Sequence, residues 1–149
     1  MGVGGAFIAY SSFIIDESFD FSQKISLLTE NIFDTTLILN GKAVMNFKKQ
    51  RILNWDDLKA EVSDILVKGE NTLVMIGSVP NWDAYHSVPF SALSGKFKID
   101  GKKLSLLNKI ETGDIVSQGL PYFAGTVNYK SEFNVTDFRK IILKTDSTD

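Results

Sequence analysis

The sequence predicts an all-β fold, an antiparallel β-sandwich, from two turn dipeptides and one turn cluster. Asn40-Gly41 lies between apolar runs, and Asp100-Gly101 separates two later strand-like runs. Such dipeptides favour two-residue hairpins, because a type I′ turn needs positive φ at both central residues. The cluster at 69–71, Gly-Glu-Asn, leads into residues that favour strands. The strand-like runs at the two ends of 37–77 lie about thirty residues apart, too far for one hairpin. We therefore predict that they are separate strands of one sandwich.

The N-terminal half contains four predicted strands, at 7–15, 24–30, 35–39 and 43–47. A turn at 16–18 follows the first, and Asn40-Gly41 joins the last two. Residues 54–62 are the one helix-like piece, since Asn54 can cap a helix and two aspartates follow near its N-terminus.

The later part of the chain alternates a loop with a hairpin. Residues 78–89 contain two prolines and little periodicity, which predicts a loop. Residues 97–99 and 104–107 then form the predicted hairpin around Asp100-Gly101.

Length and composition predict one domain with an ordinary core and exclude several classes of function. The chain has 149 residues, 44% of them hydrophobic, and a formal net charge of -2. A nucleic-acid partner would usually leave a basic footprint, so none is expected. No apolar stretch reaches the roughly 18 residues of a membrane span, and no membrane partner is expected. The absence of cysteine excludes disulfides and thiolate chemistry.

Three segments together resemble the sugar-binding jelly-roll domain of family 2 glycoside hydrolases. They are Leu-Asn-Gly-Lys at 39–42, Glu-Val-Ser-Asp-Ile-Leu at 61–66 and Lys-Gly-Glu-Asn-Thr-Leu at 68–73, in the family's order and at about its spacing. The resemblance implies a jelly-roll β-sandwich of the galactose-binding-like type over residues 1–112. It also implies an association with glycosidases, but not catalysis by this chain.

A second resemblance covers 118–130, Gln-Gly-Leu-Pro-Tyr-Phe-Ala-Gly-Thr-Val-Asn-Tyr-Lys. It is similar to the motif that joins tandem jelly rolls in large rhamnosidase-like glycosidases. This resemblance implies that the chain is a fragment of a larger glycosidase, or a remnant of one. Residues 113–149 are then a linker motif and the first strands of a second, incomplete sandwich. Its apolar runs at 126–135 and 138–143 predict an extra C-terminal hairpin. Because two strands alone are marginal in water, we expect this hairpin to pack on the first sandwich, or to pair with a second copy as a homodimer.

The candidate binding residues lie in the predicted loop: Trp82, Asp83, Tyr85 and His86. Aromatic rings can stack on the C–H faces of a sugar while flanking polar groups bond its hydroxyls. The alternative is that Trp82 and Tyr85 close one end of the sandwich. We refer to these four residues as the loop cluster.

No catalytic or metal site is expected. A glycosidase needs two suitably spaced carboxylates, and none of the 18 acidic residues lies in a recognisable catalytic context. The only histidine, His86, excludes a site of several imidazoles, and no dense Asp-x-Asp spacing predicts calcium. No cofactor is predicted.

Three functions remain as hypotheses. The first is a non-catalytic accessory domain that binds carbohydrate beside a glycosidase catalytic module. The second is a purely structural domain that braces a neighbouring catalytic module or subunit. The third, an independent enzyme, has the least support from the residues.

Overall fold

The computed structural model describes residues 5–30, 34–51, 57–79, 89–107, 109–123, 126–130, 132 and 134. Within them the protein is all-β, as predicted, with no helix. The ten strands are β1 (Gly5–Ile15), β2 (Ser26–Glu30), β3 (Thr35–Leu39), β4 (Lys42–Ala43), β5 (Lys48–Lys49), β6 (Asp57–Glu61), β7 (Gly69–Val79), β8 (Ser91–Ser94), β9 (Phe97–Asp100) and β10 (Lys103–Leu106).

The strands form two sheets. The larger has six strands in the order β4-β3-β7-β1-β10-β9, and the smaller has four in the order β5-β6-β2-β8. All pairs are antiparallel except β1 and β10, which are parallel. The predicted separate strands at 35–39 and after Gly69 are direct neighbours, with Ile38 opposite Val74.

One hydrophobic core lies between the two sheets. In β1 the buried side chains alternate with exposed ones, so that Phe7 and Ile15 point inward while Ile8 and Tyr10 point outward. The core cluster takes buried residues from both sheets, among them Leu37 and Leu27. A two-sheet architecture of the β-sandwich type follows from this shared core.

The hairpin turn at Asn40-Gly41 has the predicted geometry. Asn40 has φ 51° and Gly41 has φ 76°, the positive values of a type I′ turn. A Cβ built on Gly41 meets no atom within 4 Å, so only backbone conformation restricts this position.

Replacing Gly41 by valine should therefore lower the free energy of unfolding by about 1 kcal/mol or more, because a β-branched residue is strained at positive φ. Chemical denaturation measures this change. The control is Gly41→Asn, because asparagine tolerates the left-handed region. Equal unfolding midpoints for the valine variant and the unmodified chain would contradict the strain argument.

Two asparagines connect the hairpin turn to the start of β7. Asn40 Nδ2 donates to Asn71 Oδ1 at 2.7 Å and to the Ile65 carbonyl at 3.0 Å. Two further hydrogen bonds complete the connection. Thr72 N–H donates to Asn40 Oδ1 and Asn40 N–H donates to the Thr72 carbonyl, both at 2.9 Å. The Asn-Gly and Gly-Glu-Asn segments of the sequence are thus parts of one hydrogen-bonded unit.

Asn71 is the centre of this unit and has no solvent exposure. Its Oδ1 also accepts from the Val67 N–H at 2.9 Å, and its Nδ2 donates to the carbonyls of Val67 (2.7 Å) and Gly69 (3.0 Å). The Asn71 side chain therefore provides hydrogen-bond partners for backbone groups of the turn that leads into β7. Buried polar groups need such partners.

Three local expectations were wrong or incomplete. Residues 57–61 of the predicted helix form β6, because that segment pairs with β2 on one side and β5 on the other; residues 54–56 lie outside the described residues. Of the strand predicted at 43–47, only Ala43 lies in a strand, β4 of the larger sheet; residues 44–47 are in none, and β5 of the smaller sheet begins after them. Strand β8 follows shortly after the predicted loop. It was not predicted, because it has only two apolar residues.

The segment before the predicted C-terminal hairpin packs on the edge strand β9. The Gly119 carbonyl accepts from the Ile99 N–H at 2.7 Å, and Leu120 is buried. The described residues of the run 126–135, namely 126–130, 132 and 134, are not in a strand, and 138–143 lies outside the described residues. The hairpin and the division into 1–112 and 113–149 stay predictions.

The outer faces of both sheets carry charged positions. On the smaller sheet they include Lys48, opposite Lys59, and Glu61, whereas Asp57, opposite Glu30, is buried. On β4, β3, β7 and β1 of the larger sheet the outward positions are uncharged apart from Glu70, which lies opposite Ile14. Lys103 lies in register with Ile14 on the neighbouring strand β10.

Candidate functional site

The loop cluster lies outside the described residues, so the placement of Trp82, Asp83, Tyr85 and His86 stays a prediction. The described residues on either side belong to different sheets, since β7 is in the larger sheet and β8 is in the smaller. Phe90, just before β8, is fixed to β2 by its carbonyl, which accepts from the Thr29 hydroxyl at 3.1 Å and the Glu30 N–H at 3.2 Å.

The described residues contain an open cleft beside the smaller sheet, with a volume of about 510 Å³. Phe21, Glu61, Ser63 and Asp64 line it. The cleft lies where the turn before β2 meets the turn after β6, and it combines one aromatic ring, one hydroxyl and two carboxylates.

The aromatic side of the cleft is held by the turn before β2. Asp20 accepts from the Ser22 N–H at 2.8 Å and the Ser22 hydroxyl at 2.6 Å. These hydrogen bonds to Ser22 hold the pKa of the Asp20 carboxyl below its ordinary value. The Phe21 ring contacts the buried Phe19 ring at a centroid distance of 5.5 Å and an angle of 50°. Phe21 thus packs against the core through Phe19, and it also lines the cleft.

The polar side of the cleft is held by the turn after β6. Ser63 Oγ accepts from the Ile25 N–H at 2.8 Å and lies 3.4 Å from the carbonyl oxygens of Gln23 and Ile25. The Val62 N–H donates to the Ile25 carbonyl at 2.9 Å, and Leu66 N–H closes the turn onto the Val62 carbonyl. Ser63 therefore joins the two turns that line the cleft.

The two carboxylates of the cleft are accessible. Glu61 is paired with Lys24 at 3.2 Å, and both side chains are more than half exposed. A pair exposed to this extent contributes little to stability, so Glu61 remains able to exchange partners. Asp64 is exposed at the tip of the turn. The cleft therefore presents acceptor oxygens beside an apolar ring.

A second charged cluster lies away from the cleft, where β1 ends beside β10. Asp16 forms an ion pair with Lys103 and accepts from Ser18. The Lys103 ammonium, followed by the Ser18 hydroxyl and N–H, holds the pKa of the Asp16 carboxyl far below its usual range, and the pKa of Lys103 is raised in turn. This cluster lies at the end of the parallel strand pair of β1 and β10.

Two negative findings concern the described part of the chain alone. Its aspartate and glutamate side chains form no group of three or more that could hold a metal ion. Its secondary structure includes no helix with the length and apolar character needed to cross a membrane.

Sequence reasoning did not identify the cleft. Glu61, Ser63 and Asp64 were used only as part of a family-like segment, and Phe21 was not singled out. The Asp-Phe-Ser turn at 20–22 is a local signal that exposes a ring at a fixed position. The other side of the cleft is connected to this turn through the hydrogen bond between Ile25 and Ser63, which are 38 residues apart in the sequence. No local sequence pattern indicates a contact between residues so far apart.

Comparisons with protein-family models, with curated proteins and with solved structures found no match to this chain.

Proposed function

We propose that the chain is a carbohydrate-binding accessory domain associated with a glycoside hydrolase, and that it has no hydrolytic activity of its own. The proposal includes a galactose-binding-like jelly roll over 1–112, and a linker with an extra C-terminal hairpin over 113–149. The partners proposed are a carbohydrate and a neighbouring glycosidase catalytic module. The observation that carries it is the cleft lined by Phe21, Glu61, Ser63 and Asp64 on a two-sheet scaffold.

The chemistry of the cleft suits a sugar. A pyranose offers an apolar C–H face that can stack on the Phe21 ring, and hydroxyls that can donate to the carboxylates of Glu61 and Asp64. A hydrogen bond from a neutral hydroxyl to a charged carboxylate is stronger than one between two neutral groups. Because Phe21 is anchored on Phe19, and Ser63 is bonded to Ile25, the site is formed before a ligand arrives. Preorganisation of this kind lowers the entropic cost of binding.

Glycan binding tests the proposal. The labelled chain is screened on a glycan array, and the best oligosaccharide is titrated by calorimetry against Glu61→Gln and Asp64→Asn. Each of these isosteric changes removes one charged acceptor, and each should weaken binding by about tenfold, or about 1.4 kcal/mol. Glu70→Gln, an exposed carboxylate on β7, is the matched control and should leave the affinity unchanged.

Two further results distinguish the remaining alternatives. A loss of binding in Trp82→Ala, with no change in the cleft variants, would assign the sugar to the loop cluster. No binding of any glycan would overturn the carbohydrate role and favour the structural alternative, a domain that braces a neighbouring module.

The absence of hydrolysis is a separate prediction. The general acid of a glycosidase is kept protonated by an apolar environment, whereas Glu61 and Asp64 are exposed. Purified chain incubated with aryl glycosides and polysaccharides should release no more sugar than a heat-inactivated sample. Release well above that sample, abolished by Glu61→Gln, would show that the chain is an enzyme.

A further inference from the structure

The dipeptide Asn40-Gly41 carries a chemical reactivity besides its role in the hairpin turn. The backbone nitrogen of the residue after an asparagine can attack the asparagine Cγ, and glycine hinders this attack least because it has no side chain. The bond from Gly41 N to Asn40 Cγ forms, the bond from Cγ to Nδ2 breaks, and ammonia leaves with the Gly41 amide proton. Water then opens the cyclic imide to aspartate or isoaspartate. No other asparagine of the sequence precedes a glycine.

In the folded chain, hydrogen bonds hold the Asn40 side-chain amide at both ends. Its Oδ1 accepts from the Thr72 N–H at 2.9 Å, and its Nδ2 donates to Asn71 Oδ1 at 2.7 Å and to the Ile65 carbonyl at 3.0 Å. The attack makes Cγ tetrahedral and expels Nδ2, so it cannot proceed while the amide keeps these three hydrogen bonds. The partners belong to β7 and the turn before it, so the reaction requires the hairpin turn to separate from both.

We propose that Asn40 is a deamidation site that the folded chain keeps closed, that opens when the hairpin turn separates from the start of β7, and that cannot close again once it has reacted. Local openings of this kind occur in folded proteins without global unfolding. The rate of deamidation is then the rate in the unfolded chain multiplied by the fraction of molecules in which the turn is open. The proposal does not depend on carbohydrate binding.

The reaction product lacks the groups that close the site. A carboxylate at position 40 has no hydrogen to donate, so one of its oxygens would face Asn71 Oδ1 and the Ile65 carbonyl, which are both acceptors. Asn71 cannot adapt by turning its amide over, because its Oδ1 also accepts from the Val67 N–H and its Nδ2 donates to the carbonyls of Val67 and Gly69. Isoaspartate in addition inserts a side-chain carbon into the backbone of a tight turn. Deamidation therefore removes the contact between the hairpin and β7 irreversibly.

Deamidation kinetics of the full chain test the proposal. The chain is incubated at neutral pH in buffer and in denaturing urea, and peptide mapping by mass spectrometry measures the conversion at Asn40. In buffer we expect conversion to be about a hundredfold slower than in urea, because three hydrogen bonds of ordinary net strength must open first. Equal rates in buffer and in urea would overturn the proposal.

Two comparisons show whether the opening is local. Urea well below the unfolding midpoint should leave the rate unchanged, because separation of one turn exposes little surface. Asn71→Ala removes one partner of Asn40 and should raise the rate in buffer about tenfold. Gly77→Val, the matched control, crowds Phe7 near the other end of β7 and should raise the rate by less. A rate that follows global unfolding in urea, or that both variants raise equally, would overturn the proposal.

The variant Asn40→Asp carries the carboxylate of the product. Its unfolding midpoint in urea should be lower than that of the unmodified chain, because both hydrogen bonds that Nδ2 donates are lost. Asn128→Asp makes the same change at an exposed position and is the control. Equal midpoints for these two variants would show that the product closes as the amide does, and would overturn the proposal.

Discussion

Replacement of Asn71 by alanine is expected to lower the free energy of unfolding by about 3 kcal/mol. The side chain is fully buried and makes four hydrogen bonds, to Asn40, to Gly69, and to the N–H and carbonyl of Val67. Alanine leaves several of these buried groups without partners and also creates a small cavity. Urea denaturation measures the change, with Asn128→Ala as an exposed control that should shift stability by less than about 0.5 kcal/mol.

A double-mutant cycle shows whether the two asparagines act as one unit. Asn40→Gly removes the side chain while keeping the positive φ of the turn, so backbone strain does not enter the cycle. We expect a coupling energy of about 1 kcal/mol between positions 40 and 71. Strictly additive effects would contradict the idea that the bond between these side chains joins the hairpin to β7.

Replacement of Gly77 by valine is the second large effect, again expected at about 3 kcal/mol. Gly77 lies opposite Phe7 and Thr35 in the larger sheet. A Cβ at this position would lie 2.7 Å from Cζ and 2.8 Å from Cε1 of Phe7, and the ring of Phe7 is buried in the core. Valine favours strands, but here the ring has little room to move.

Two variants test the cause of this effect. Ser78→Val adds the same side chain one residue along β7 on the exposed side and should have little effect. Phe7→Leu removes part of the ring, so the double variant with Gly77→Val should be more stable than the sum of the single changes predicts. Unchanged thermal stability of Gly77→Val would show that β7 accepts a side chain at this position.

Local turn chemistry made part of this fold predictable. The hairpins at Asn40-Gly41 and Asp100-Gly101 were predicted because two adjacent residues determine each turn, and the strands beside them followed. Strand β1 was predicted because it is long and apolar. Such features depend on a few neighbouring residues, which the sequence displays directly.

Features that depend on distant partners were not predictable in the same way. Strand β6 begins with Asp57, an acidic residue that also suits a helix N-terminus, and only pairing with β2 and β5 selects the strand. Asn71 was interpreted as a turn residue, whereas its side chain crosses to Asn40. The cleft combines Phe21 with residues some forty positions later, so its composition emerges only when the two turns meet.

The most direct test of the carbohydrate role is an NMR titration of the ¹⁵N-labelled chain with a panel of oligosaccharides. The proposal predicts saturable chemical-shift changes at the amides of Phe21, Glu61, Ser63 and Asp64 for at least one oligosaccharide, with β10 unaffected. Spectra that remain unchanged with every oligosaccharide, up to millimolar concentrations, would contradict it.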